Sequence, residues 1–245
     1  MAARKGLVVT GQSPRSGAGI VIPVDGPAGS GKSTVAKTIA ERLGWDYLES
    51  GALYRAVGLK VLEAGGDPDD PEEAARQARS LRFECRKIPE GWRNFLDGED
   101  VTDMLREERI SEASSKVSAI PGVRKALLEL QRAYGRDRGA LLDGRDIGTV
   151  VFPEAKLKFF MDADIKVRIE RRFNELQERG IDFDPEQLGA NLRERDQRDR
   201  KRATAPLRRA DDAILIDTSN KTIDQILEYM LGEISRELGQ LIDLR

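Results

Sequence analysis

The sequence contains no histidine and a single cysteine, Cys85. Without histidine, imidazole acid–base schemes and the usual zinc sites drop out. One thiol cannot close an internal disulfide or pair with a second for a thiolate metal site, so Cys85 reads as a strand residue of the core rather than a redox centre. Long apolar runs are also missing. None approaches the roughly 20 residues needed to cross a bilayer, and the opening MAARKGLVVT has too short an apolar stretch for a signal peptide. Nor is there an excess of charge of one sign. With 41 basic and 43 acidic side chains the formal net charge is −2, which leaves no overall basic field to gather nucleic acid. Any anionic substrate must therefore meet positive charge concentrated locally. Trp45, Trp92 and the scattered Phe residues are few enough to be expected in packing rather than as platforms for bases.

Present instead are 245 residues, 39% hydrophobic and 34% charged. That suits a soluble domain with a salt-rich surface and length enough to bury a core. Residues 1–19, rich in Gly, Ser and Pro towards their end, read as a flexible tail, and residues 20–245 as a single domain. Ile20–Asp25 is a short β-branched run expected as a buried strand. Ser33–Leu43 carries Val35, Ile39 and Leu43 at helical spacing, and Ala52–Ala64 is a second helix stopped by Gly65-Gly66. Leu81–Cys85 and Arg93–Leu96 suggest two antiparallel strands, with Asp97–Asp100 as the turn that ends them. Helices are expected near Glu107–Ser118, Pro121–Gly135, Ile165–Arg179, Pro185–Arg202 and Ile223–Gly239. Ala140–Asp143, Leu157–Asp162 and Ala213–Asp217 are compact apolar runs that each end in Asp. Strands alternating with helices predict a parallel sheet covered on both faces, with ligands beyond the carboxyl ends of its strands. Asp25, Asp143, Asp162 and Asp217 all fall there, although terminal Asp is also a common helix cap.

Gly26-Pro27-Ala28-Gly29-Ser30-Gly31-Lys32-Ser33 fits G-x-x-x-x-G-K-[ST] at every fixed position, between an apolar strand and an amphipathic helix. Glycines at 29 and 31 let backbone N–H groups curl around phosphate oxygens, and the positive end of the helix dipole faces the same anion. Lys32 supplies charge to the β- and γ-phosphates, and the Ser33 hydroxyl is a ligand for Mg²⁺. A guanine-reading N-K-x-D is absent: Asn220-Lys221-Thr222-Ile223-Asp224 has one residue too many and reads as a turn before a helix. A small-molecule kinase needs arginines for the acceptor phosphate. They occur at Ser50–Arg55, at Asp143–Thr149 and at Glu194–Arg202. In the last run Arg195, Asp199 and Arg202 share one helix face with Arg198 beside them. Such a run on its own more often makes a solvated helix laced by ion pairs.

SGALYR, LLDGRDIGTVVFP and ERDQRDRKRA, joined to IPVDGPAGSGKST, resemble the bacterial cytidylate kinase family from Ile20 to the final helix. The resemblance implies an α/β P-loop kinase fold: a central parallel sheet flanked by helices, an inserted monophosphate-binding lobe at about 77–116 and a short helical lid at about 165–183. It implies transfer of the γ-phosphoryl group of ATP to CMP and dCMP in pyrimidine metabolism, by a cytoplasmic monomer that has neither nucleic acid nor membrane as partner. The implied ATP site is Gly26, Pro27, Ala28, Gly29, Ser30, Gly31, Lys32, Ser33 and Thr34, with Arg171 and Arg172 closing over the nucleotide. Arg55, Arg145 and Arg202 match binders of the CMP phosphate. Arg195 and Asp199 match positions near the acceptor ribose, with Arg195 also facing the transferring group. Ser115, Arg124 and Asp146 match the cytosine readers, and Ser50 and Tyr54 line the same pocket. Lys32, Arg145, Arg195 and Arg202 are the expected catalytic set, with Ser33 on Mg²⁺ and Asp143 reaching it through water. Glu49 departs from the family, which more often has Asp before Ser-Gly.

The base readers make chemical sense without the resemblance: a carboxylate at Asp146 accepts from the cytosine amino group and repels the O4 of uracil, while Arg124 donates to N3 and O2. Asp146 as a turn cap and Asp143 as a helix or turn cap remain alternatives. The chemical rivals are the same transfer to UMP, AMP or shikimate, and a P-loop ATPase or nucleic-acid module using the Arg202 segment as a basic patch. Asp196 and Asp199 within that segment speak against the patch.

Overall fold

The computed structural model describes residues 19–181 and 183–239. The expected tail therefore lies outside the described residues except for Gly19. A five-stranded parallel sheet forms the centre: β1 (Val21–Asp25), β2 (Asp46–Glu49), β6 (Ala140–Gly144), β7 (Phe159–Asp162) and β8 (Ile214–Asp217), in the order β2-β6-β1-β7-β8. With β1 in the middle, the loop after it opens at the carboxyl edge between two oppositely wound halves, where ligands bind in sheets of this kind. The register aligns Glu49 with Asp143 and Asp25 with Gly144, so acidic strand ends line one edge.

Burial on both faces explains the apolar strands. In β6, Leu141 points into a core with α1 (Lys32–Leu43) and α8 (Ile223–Leu238), where Val35, Ile39, Met230 and Ile234 meet Ile22 and Phe159. Ala140 and Leu142 point into the other core, formed with α2 (Ser50–Glu63), α3 (Pro71–Arg79), α4 (Glu108–Val117) and α5 (Pro121–Ala133). This alternation is the two-residue period of a strand.

A separate antiparallel sheet lies between α3 and α4: β3 (Phe83–Ile88), β4 (Gly91–Leu96) and β5 (Glu99–Asp100). The expected hairpin is present, but β3 runs to Ile88 and the hairpin turns at Pro89-Glu90. Asp97-Gly98 then makes a second turn into β5, so the DGED run supplies both a turn and a strand. Asp97 adopts φ 51°, a conformation that Asp tolerates better than most residues. The last helical pair is α6 (Ile165–Glu178) and α7 (Pro185–Lys201), each capped by an Asp side chain, Asp164 and Asp184. Among the described residues no helix is long and apolar enough to cross a membrane.

Candidate active site

The glycine-rich run forms the loop from β1 into α1. Gly26 is required by contact, since a Cβ there would stand 2.0 Å from the Met161 carbonyl oxygen. Gly31 is required by conformation: it starts α1 at φ 85° with nothing near a Cβ position, in the left-handed region that glycine enters freely. The Ser30 hydroxyl and the Lys32 ammonium both donate to the Pro27 carbonyl at 3.0 Å, which folds the loop over its own lysine. Lys32 is buried without a salt-bridge partner among the described residues. Burial, then the positive charge of Arg145, pushes its pKa down to about 7. Ser33 is half-buried and Thr34 is exposed on the first turn of α1.

Asp143, at the end of β6, is buried and accepts the Tyr47 hydroxyl at 2.6 Å. Burial and the neighbouring Glu49 raise its pKa, opposed by Lys32, Tyr47 and the Ser33 hydroxyl. Asp162 and Asp217, the strand-end aspartates with bland alternatives, bond locally: Asp162 accepts Ala163 N–H, and Asp217 accepts the Ser219 amide and hydroxyl.

The second group of expected residues comes from five elements: α2, α4, α5, the segment after β6, and α7 with its end. Arg145 follows β6 and donates through Nε to Asp199 of α7 at 2.9 Å. Asp146 is buried between two guanidiniums, accepting Arg124 Nη2 on one oxygen and Arg202 Nη2, at 3.1 Å, on the other. Arg124 also donates to the Ser118 carbonyl and lies 5.4 Å from the Tyr54 ring centroid. Burial pushes Asp199 up, but Arg145, Arg195 and Arg202 outweigh it and hold the carboxyl below its usual range. Arg202 is not on the helix; it is the residue that ends α7, with an extended backbone, and its side chain turns back to Ala205 and Asp146. Ser50 and Ser115 are buried, and among the described residues the Ser115 hydroxyl and the buried Arg195 Nε have no partner. Burial with Arg145 nearby lowers the Arg195 pKa to about 10. Arg55 pairs with Glu49. Burial raises Glu49, yet Arg55 and Lys37 overcome this and bring its pKa down to about 2.

The loop opens into a cavity of about 980 Å³, which Lys32, Ser33, Glu49, Arg55, Arg145 and Arg195 line together; Ser50, Tyr54, Ser115, Arg124, Asp146, Asp199 and Arg202 are not among the residues that line it. Arg171 and Arg172 of α6 line it as well. Arg171 donates to the Thr218 hydroxyl and carbonyl, and Thr218 in turn donates to the Ser30 carbonyl. Arg172 pairs with Glu175 and with Glu108 of α4. Trp92 borders the same space while its ring edge meets Tyr47, so packing and lining coincide there. Cys85 borders it too, with burial pushing its thiol up to about 12, far from a reactive thiolate.

Two contributors escape a reading of the sequence. Tyr47 lies on β2, a strand too short to stand out by pattern. Arg168 is buried and donates to Ala163, to the Ala28 carbonyl of the loop and to Asp196 of α7, which ties α6 and α7 to the loop. Its place three residues before Arg171, one turn along the same helix, is the only signal the sequence offered.

Known proteins give the arrangement a context. The family model described as cytidylate kinase matches residues 22–236. A cytidylate kinase of Aeromonas salmonicida (strain A449) is 42% identical over 219 residues, which cover 89% of this chain and 95% of the relative. One from Pseudomonas aeruginosa (strain UCBPP-PA14) is 43% identical, covering 91% and 98%. One from Bordetella bronchiseptica is 45% identical, covering 89% and 96%.

Proposed function

This chain belongs to the cytidylate kinase family, and from that premise we propose how its cavity moves the γ-phosphoryl group of ATP onto CMP, giving ADP and CDP. The observation that carries the reading is the meeting of Lys32 with Arg145 and Arg195 around one cavity. A CMP phosphate oxygen is already ionised, so it attacks the γ-phosphorus directly while the bond to the β–γ bridging oxygen breaks and ADP leaves with the electron pair. No general base is required, which agrees with a chain that has no histidine. Catalysis then consists of alignment and charge neutralisation.

In this reading the loop 26–34 holds the ATP phosphates, and Arg171 and Arg172 close the lid, about 165–183, over them. The segment at about 77–116 is the monophosphate-binding lobe. Arg55, Arg145 and Arg202 take the CMP phosphate, and Ser50 and Tyr54 wall its pocket. Arg195 and Asp199 serve the ribose side, and Ser115, Arg124 and Asp146 read cytosine. The Ser33 hydroxyl and the Asp143 carboxylate, whose pKa the hydroxyl helps to lower, suit Mg²⁺, which prefers one or two protein oxygens plus phosphates and water. Bound there, it would neutralise charge on the β- and γ-phosphates. The same reading makes dCMP a second acceptor and the enzyme a cytoplasmic monomer.

A coupled assay of ADP release with CMP, dCMP, UMP, AMP and shikimate tests it. Fast turnover on CMP with UMP and AMP far slower is expected. Replacing Arg145 by Ala should lower kcat about 10²–10³-fold, the usual loss for one donor to the transition state. ATP consumption indifferent to every acceptor would overturn the assignment and favour an ATPase.

A further inference from the structure

Asp25 ends β1 and immediately precedes Gly26, the first residue of the phosphate loop. Its carboxylate is 4% exposed and makes no salt bridge among the described residues. It accepts two backbone amides instead, Ile147 N–H on Oδ1 at 2.9 Å and Gly148 N–H on Oδ2 at 2.7 Å. These amides open the wide turn Ile147–Val151, which mixes a four-residue bond, Val150 N–H to Asp146 O, with five-residue bonds, Val151 N–H to Asp146 O and Phe152 N–H to Ile147 O. Such an irregular turn is held less firmly by its own ladder than an α-helix and depends more on outside partners.

The two residues just before that turn are Arg145 and Asp146, and they point to different partners. Arg145 goes to Asp199, while Asp146 goes to Arg124 and Arg202. A swivel of the turn would displace both contacts at once. Burying a carboxylate without a cation costs stability, and burial does push Asp25 up to about 7 against the pull of the two amides. A fold alone would be served better by an uncharged residue at this position, so the cost points to a use.

We propose that Asp25 is a positioning residue for the acceptor, locking the turn behind Arg145 and Asp146 to the strand end that carries the phosphate loop. Donor and acceptor sites are thereby fixed to one another through a single side chain between consecutive residues of β1 and the loop. Gly148 belongs to the device: a Cβ there would stand 3.3 Å from Asp25 Oδ2 and 3.2 Å from the Lys158 side chain, so any larger residue would crowd the close approach of the turn. This inference rests on the cytidylate kinase reading of the cavity.

The test is Asp25→Asn, which keeps one acceptor and turns an amide donor against a backbone N–H. At saturating ATP, KM for CMP should rise by about tenfold to a hundredfold, the effect of losing one hydrogen bond to a charged acceptor. KM for UMP should rise less, because a loosened Asp146 repels uracil less. Affinity for a non-hydrolysable ATP analogue, measured by fluorescence, should stay within about twofold. A merely structural role would lower Tm without separating the two substrates. Folded Asp25→Asn with an unchanged KM for CMP, or with both substrates weakened alike, overturns the proposal. If that variant does not fold, Gly148→Ala decides by the same split, since its Cβ presses on the same carboxylate. Wild-type protein that ignored CMP would instead overturn the kinase reading itself, so the two failures are told apart.

Discussion

The phosphate loop and the proposed acceptor pocket meet at Arg145, which lines the loop's cavity and pairs with Asp199, yet they are built on opposite plans. The loop comes from one continuous run, is shaped by backbone conformation, and holds a buried cation, Lys32, that donates to a carbonyl. The charged network of the proposed acceptor pocket is assembled from α5, the segment after β6, and α7 with its end. It stores its cations against its own carboxylates in a chain from Arg124 through Asp146 and Arg202 to Asp199 and Arg145. The first plan keeps a charge ready at a cost to folding stability. The second balances its charges within the fold and requires the arginines to share or exchange partners when a phosphate arrives. A buried charge without a partner and a buried charge inside a network respond differently to mutation, and this makes the contrast testable.

The largest effect should come from Lys32→Met. Turnover should fall by at least about 10²–10³-fold, while the unliganded protein becomes more stable by about 1–3 kcal/mol, because a desolvated ammonium is replaced by an apolar side chain of similar length. Thermal unfolding checks this, with Tm expected to rise by about 2–8 °C. The pH dependence has a definite sign. Lys32 titrates near 7 in the fold and near 10.5 when unfolded, so the unfolded chain holds more protons between those values. The wild type's stability from this group therefore rises with pH across that window, and the difference between variant and wild type should shrink from pH 7 to 10. A Tm that fell in Lys32→Met would mean that Lys32 is compensated in the empty loop, and the contrast would fail on that side.

Next in size is Asp146→Asn, which acts on the network. The preference for CMP over UMP should drop by tenfold or more, since an amide offers uracil O4 a donor where the carboxylate repelled it; a mispaired buried polar group is what makes such selectivity large. Here stability should fall rather than rise, by about 1–3 kcal/mol, because Arg124 and Arg202 lose the charge between them. Opposite stability changes from removing one cation of the loop and one anion of the network would establish the two plans. Like changes would dissolve the distinction.

The difference in construction also explains what the sequence revealed. The loop was legible because its signal is local: fixed residues in one run, with strand before and helix after. Every apolar run ending in Asp became a strand: β1, β6 and β7 are largely buried, which leaves continuous hydrophobic segments, while β8 at the sheet edge buries only Ile216. β2 and α3 were not seen. Asp46–Glu49 has only two buried residues, and α3 buries mainly alanines, which carry little hydrophobic contrast. The hairpin's length was underestimated because β3 is mostly half-exposed and charged, and Phe83 is its one buried residue. For the pocket, residue types pointed to phosphate binding but pairings could not be read, because Asp146 and Arg202 are 56 positions apart and meet only through the tertiary fold. Arg202 was expected on a helix face and instead ends the helix, which lets its side chain turn back under Ala205. Asp25 was recognised as a strand end, but its partners are amides more than 120 residues away, and amides leave no mark in a sequence.

The smallest expected effect lies where the two plans meet, at the lid. Arg172 reaches from α6 to Glu108 of α4 at 3.2 Å, and Arg179 approaches the Arg106 carbonyl, so the proposed lid touches the proposed monophosphate-binding lobe. Both Arg172 and Glu108 are partly exposed, and such pairs are worth about 0–1 kcal/mol. Glu108 therefore acts as a weak stand-in for phosphate, holding an arginine that the proposed mechanism sends to ATP. With Glu108→Gln, Arg172 is freer to turn, and KM for ATP should fall by no more than about threefold, with kcat on CMP unchanged. The difference should shrink in high salt, which screens exposed charges first. Steady-state kinetics at low and high ionic strength measure both. If KM for CMP moved instead of KM for ATP, Glu108 would belong to the acceptor network, and the boundary between a poised cation and a stored one would lie on the lid side of α4.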